Sequence, residues 1–208
     1  MSVAHRPTDE MLASFAAGQL DEGLAVVVAA HVEMDYESWR RVQELQAVQG
    51  ALLDAIEPVS MDAGPSYSRL VEPGTPGFDT ASPRGEPGLP GVLRPYAFGP
   101  WRPIGIRIAM RRIEVPGAEA RVFMLRAGPG IALPHHKHSG LEWTTILSGA
   151  YEHQYGRYAA GDFDEADSDH DHTPRVDPVE GCTCIVAMTG NVLFQGWLGR
   201  LLQPLVRL

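Results

Sequence analysis

The feature that most limits what this chain can fold into is "EPGTPGFDTASPRGEPGLPGVLRPYAFGP", running from Glu72 to Pro100. Proline removes a backbone donor and glycine leaves the backbone free, so a run dense in both sustains neither a helix nor a sheet. It reads as a linker that divides the 208 residues into two units. The hydrophobic share of 44% is that of a globular protein, not of a disordered tail or a fibre.

The two sides of the linker carry different periods. From Thr8 to about Glu57 the apolar residues fall at helical spacing: Met11, Leu12, Phe15 and Ala16; then Leu24, Val27, Val28 and His31; then Val42, Leu45 and Val48. Thr8 and Asp21 are placed to cap helices, each followed by acids that suit a helix N-terminus. A further short helix is expected near Tyr67–Val71. After the linker, "GIRIAMRRIEV", "ARVFMLRAG", "EWTTILSGAYEHQY" and "CTCIVAMTGNVLFQGW" alternate or run apolar and are punctuated by Gly and Pro, as strands are. Short strands at regular spacing imply a sandwich or barrel. The expected organisation is a small all-α unit over residues 1–72, a linker over 73–100 and an all-β unit over 101–208.

Composition excludes several classes. No apolar run approaches the roughly 18 residues of a membrane helix, and "MSVAHRPTDEM" lacks a secretory pattern, so a cytoplasmic protein is expected. Cys182 and Cys184 are the chain's two cysteines, too few for a disulfide framework. Residues 1–57 carry ten acids against three arginines, a net −7 of the chain's −9. That balance opposes direct binding to nucleic acid and suits a basic protein partner or a solvated acidic surface.

The stretch "PHHKHSGLEWTTILSG" carries the chemistry. Gly130, His136, His138, Glu142 and Gly149 are spaced as in the first motif of the cupin family of small jelly-roll barrels, which this half of the chain resembles. Residues two apart on a strand face the same way, so His136, His138 and Glu142 can converge inside the barrel. The resemblance implies one more histidine from a second motif. His172, in "HTP", is the best match and His170 its competitor. The six acids of "GDFDEADSDHDH" read as a solvated loop at the barrel mouth. Imidazole and carboxylate together suit zinc, iron, manganese or nickel, with zinc the expected ion. His135 is out of phase and expected on the surface, while His153 and Tyr155 line the cavity or pack in the core. Cys182 and Cys184 share a strand face, either as small hydrophobes or as a redox pair near the metal.

The helical half, "DEMLASFAAGQLDEGLAVVVAAHVEMDYESWRRVQELQAVQGALL", resembles the N-terminal domain of zinc-binding anti-sigma factors. The order of helical unit, linker and cupin is similar to that of the ChrR group. The resemblance implies that the helical unit grips an extracytoplasmic-function sigma factor and that the cupin senses a small-molecule or oxidant signal in a stress response. The group's zinc motif is histidine, three residues, cysteine, two residues, cysteine. This chain has His31, Asp35 and Ser38 there, with His5 or Arg6 where a further histidine belongs. Serine is a poor zinc ligand, so no zinc is expected in this unit; Met34, Tyr36 and Trp39 are expected to fill the space instead. The expected function is an anti-sigma factor, possessed of a linker that lets its two units part. The alternative is a cupin metalloenzyme such as an iron-type dioxygenase. A homodimer paired through the barrels is the expected assembly.

Overall fold

The computed structural model describes residues 3–60 and 88–194. The helix expected near Tyr67–Val71 lies outside the described residues. Three helices come first: α1 (Asp9–Ala16), α2 (Glu22–Met34) and α3 (Tyr36–Asp54). The Thr8 hydroxyl accepts from the Met11 N–H at 3.3 Å and the Asp21 carboxylate from the Gly23 N–H at 3.0 Å, as N-caps do. Asp35 is the corner between α2 and α3. Its N–H donates to the His31 carbonyl while its carboxylate accepts from the Ser38 N–H at 3.0 Å, so one residue closes one helix and opens the next.

Twelve strands follow among the described residues: β1 (Ala97–Phe98), β2 (Arg102–Gly105), β3 (Ile108–Glu114), β4 (Arg121–Ala127), β5 (His136–His138), β6 (Glu142–His153), β7 (Gly156–Ala159), β8 (Phe163–Ala166), β9 (Asp171–His172), β10 (Arg175–Val176), β11 (Cys182–Met188) and β12 (Val192–Phe194). The larger sheet runs β1-β3-β4-β11-β6-β10, with β7 and β8 also on β6 and β2 on β3; a smaller sheet runs β12-β5-β9. Every pairing is antiparallel. Pairing begins at Ala97, inside the stretch whose composition marks a linker.

The apolar residues form two cores. One fills the barrel, with Met110, Phe123, Ile146, Tyr151, Val186 and Met188. The other lies outside it, where α2 rests on the outer faces of β4, β6 and β11 through Val27, Val28, Met124, Trp143, Phe163 and Ile185. A single apolar stripe is therefore not what α2 presents: Val26, Val27, Val28 and Ala30 are all buried, because the sheet covers one side and α1 and α3 the other. Polar contacts stitch the same seam. The Thr145 hydroxyl donates to the Val27 carbonyl at 2.8 Å, Asp21 accepts from the Glu119 and Ala120 N–H groups, and Glu33 accepts from those of Gly91 and Val92. Gly91–Leu93 form a short 3-10 turn that buries Leu93 against α2. The two units thus share one core, which opposes the expected parting of units about a flexible joint.

Gly149, on β6, has φ +70°, and a Cβ there would overlap the Gly181 carbonyl. Gly149→Ala is expected to cost about 3 kcal/mol, lowering the thermal midpoint by roughly 10 °C in a calorimetric scan.

Candidate metal centre

The smaller sheet builds the centre. Antiparallel pairing of β5 with β9 sets His136 directly opposite His172, and His138 follows His136 by two residues on the same face. Glu142 opens β6 beside them. The His172 Nε2 lies 2.9 Å from that of His136 and 3.3 Å from that of His138. The His138 Nδ1 is 3.4 Å from Glu142 Oε2 and makes no hydrogen bond. One ligand atom from each of the four residues falls within 4.8 Å of all the others.

The chemistry of these atoms fits a cation. The His136 ring donates Nδ1–H to the Pro134 carbonyl at 2.7 Å, so in the neutral ring Nε2 turns a lone pair toward the centre. Burial, reinforced by the neighbouring imidazole of His136, pushes His138 down to about 4 and His172 down to about 3, which keeps both rings neutral. Burial, with Asp164 nearby, pushes Glu142 up to about 8. Three neutral imidazoles and one carboxyl that gains most from a positive neighbour make a nitrogen and oxygen donor set able to hold one divalent ion.

His170, the competitor, is turned away: its side chain is 39% exposed and bonded to Asp167 at 2.7 Å. His135 is exposed and pairs with Asp171 at 3.2 Å. Tyr155 is exposed, whereas His153 is buried with its ring 5.1 Å from that of His172. Counting by twos from Glu142 would turn His153 outward. The register of β6 against β11 slips at Leu147, which has no partner there, and this bulge turns the later residues of β6 by one position.

The acidic run corrects the expected solvated loop. Its first two members are buried: Asp162 is 4% exposed and Asp164 6%. Asp164 Oδ2 accepts from the Tyr151 hydroxyl at 2.6 Å and from His153 Nε2 at 2.9 Å. Burial alone would raise this carboxyl, but those two donors outweigh it and hold it below the usual range. His153, Asp164 and His172 are also close enough to hold an ion. Asp164 and both nitrogens of His153 are already committed, however, since the His153 Nδ1 accepts from the Tyr155 N–H at 3.2 Å. The group is a hydrogen-bonded brace beside the four-residue centre. Asp164 and Tyr151 were not singled out by spacing, since their alternation with Phe163 and Ala150 is that of any half-buried strand.

Cys182 and Cys184 are free thiols facing the barrel interior with Tyr151 and Val186. A hydrogen bond with Cys182 and then burial push the Cys184 thiol well up, so it is protonated at neutral pH.

In the helical unit His31, Asp35 and Ser38 do come together, and Arg6 completes the group. The Arg6 guanidinium grips Asp35 at 2.6 and 3.2 Å. The Ser38 hydroxyl lies 2.9 Å from Asp35 Oδ2 and 2.8 Å from His31 Nε2, while His31 Nδ1 donates to the Gly161 carbonyl at 2.8 Å. Burial opposes the ionised form of Asp35, but the bonds from Arg6 and Ser38 win and draw its carboxyl down to about 2. The expected packing by Tyr36 and Trp39 is not what fills this place. Those rings are exposed by 69% and 46% and stack on each other at 5.6 Å, because the charged corner at Asp35 leaves no apolar space for them.

Residues 95–191 match the family model described as the ChrR cupin-like domain. The whole chain aligns with the whole of the anti-sigma-E factor ChrR of Cereibacter sphaeroides, at 32% identity over 216 residues. This chain belongs to the ChrR family of anti-sigma factors. A crystal structure of Rhodobacter sphaeroides SigE in complex with the anti-sigma ChrR superposes at a TM-score of 0.74 and 30% identity, covering 90% of this chain and 99% of that one. Family membership gives the helical unit and the buried donor set their context, that of an anti-sigma factor. No helix among the described residues is long and apolar enough to cross a membrane.

Proposed function

We propose that this protein is a cytoplasmic anti-sigma factor that sequesters an extracytoplasmic-function sigma factor through its helical unit and responds to a small-molecule or oxidant signal at the cupin centre. The observation that carries the reading is end-to-end similarity, in sequence and in fold, to a ChrR chain crystallised with SigE. A second feature supports it. α3 and the residues after it hold Trp39, Val48, Leu52, Leu53, Ile56 and Val59 exposed beside the acids of an acidic segment. Val48 and Leu52, four residues apart, share one face of α3, and large apolar side chains left exposed together mark a surface for a partner.

In this reading His136, His138, Glu142 and His172 would hold one zinc ion, and the bound ion would supply a positive centre whose ligation a signal molecule alters. The helical unit, assigned to residues 1–72, holds no zinc. Its counterpart is the Arg6–Asp35 ion pair, with Ser38 and His31 joined to it. The remaining assignments are a linker over 73–100 and the cupin over 101–208.

Co-expression with the extracytoplasmic-function sigma factors of the same genome tests the proposal. One stable complex is expected on size exclusion, and no complex with any of them would sink the reading. Trp39→Asp and Leu52→Asp are each expected to weaken that complex by tenfold or more in a binding titration while leaving the metal content of the protein unchanged.

A further inference from the structure

The described chain begins with a short segment that touches both the barrel interior and the corner of the helical unit. The N–H groups of Ala4 and His5 both donate to Asp162 Oδ1, at 2.6 and 3.0 Å, and the Phe163 N–H donates back to the His5 carbonyl at 3.0 Å. The His5 ring lies 4.3 Å from Tyr158, whose own ring is 5.0 Å from His153. His153 is bonded to Asp164 and packs 5.1 Å from His172. The next residue after His5 is Arg6, whose guanidinium holds Asp35 at the start of α3. His31 meets the same turn from α2, through the carbonyl of Gly161. The turn at Gly161–Asp162 therefore carries both strands of the connection, and two residues later it becomes Asp164 of the brace.

We propose that the segment Ala4–Arg6, anchored on Asp162 and Tyr158, couples occupancy of the cupin metal centre to the start of α3. The proposal rests on the metal reading of His136, His138, Glu142 and His172, but not on sigma-factor binding. Filling the centre fixes His172, and through it the His153–Asp164 brace and the Tyr158 ring that packs on His153. That group sets where His5 and Asp162 sit, and so how tightly Arg6 can hold Asp35. Trp39 lies one turn into α3 from Asp35, so a change at this corner reaches the exposed face. Coupling between two sites is reciprocal in free energy. Loosening Arg6 must then alter metal affinity at the far end.

Two measurements on the full-length protein test this, with zinc as the probe. In chelator competition, Arg6→Gln is expected to change the zinc dissociation constant by about fivefold or more. The same substitution on a His5→Ala background is expected to change it by less than about twofold, because the ring contact with Tyr158 has been removed. Hydrogen exchange of the wild-type chain needs no variant to fold: zinc is expected to slow exchange at residues 3–8 and 35–39 as well as at 136–142. Protection confined to 136–142, or an Arg6→Gln constant within twofold of wild type, would overturn the coupling. No zinc bound and no protection at 136–142 would overturn the metal reading, and the coupling with it.

Discussion

The His136→Ala, His138→Ala double variant is expected to fall from about one metal ion per chain to background on elemental analysis, with the fold retained. Both rings are buried and supply half of the donor set, so their removal leaves Glu142 and His172 alone, too few to hold an ion. Stability should fall as well. An ion at 100 times its dissociation constant stabilises the folded state by about 2.7 kcal/mol, so the loaded wild type should melt roughly 5–10 °C above the variant, and the gap should close in chelator.

The acid and base properties of the same centre make a second readout. Without an ion Glu142 is held up at about 8 and is protonated at neutral pH; binding ionises it, so loading at pH 7 is expected to release about one proton per ion. His138 and His172 stay neutral until pH approaches about 4 and about 3. Protons therefore compete for these nitrogens only well below the ordinary imidazole range, so between pH 7 and about 4 it is the carboxyl of Glu142 whose protonation weakens the ion, by about tenfold per pH unit. Calorimetry in buffers of different ionisation enthalpy counts the proton, and dialysis against stepped pH finds the release point.

Asp35→Ala should be the most damaging single change in the helical unit, costing about 3 kcal/mol in urea unfolding. The substitution removes the cap of α3, strips the Ser38 N–H and hydroxyl of their acceptor, and leaves the Arg6 charge with no partner on that corner. Because the Asp35 carboxyl is depressed to about 2 from 3.8, its contribution is whole above pH 3.8 and is lost as pH falls through about 2. Wild type and variant should converge in acid, and a gap that persisted at pH 2 would mean that the carboxylate charge is not what matters. The converse experiment is constructive. Arg6→His with Asp35→Cys and Ser38→Cys places two thiolates and a second imidazole around His31, and a second equivalent of zinc is expected in that variant.

Much of this molecule could be read before its structure was described, and the reasons are local. Caps at Thr8 and Asp21 act within one turn, and the His136, His138 and Glu142 pattern lies within seven residues, short enough to be legible through its resemblance to the cupin motif. What escaped depends on contacts between distant segments. That His153 meets Asp164 follows from a bulge that only the pairing of β6 with β11 reveals. Asp162 and Asp164 look like any other acids in an acidic run until Tyr151, His153 and the backbone of Ala4 and His5 come to satisfy them. The Arg6–Asp35 pair is 29 residues apart, and sequence could name Arg6 as an alternative to His5 at this place but not the ion pair it makes with Asp35.

The burial of α2 bears on how such a regulator can be taken apart and rebuilt. A helix covered by a sheet on one side and by two helices on the other keeps only a narrow strip toward solvent, at Glu22, Ala25, Ala29 and Glu33, so residues 1–60 are not a cassette that can be moved onto a foreign sensor. A chimera would have to bring along the outer surface of β4, β6 and β11, with Val122, Met124, Trp143 and Ile185 on it, or redesign α2 to meet water. Recombination between relatives should therefore succeed at crossover points that keep α2 with the outer sheet it was selected against, and fail at the linker where the sequence most invites a cut.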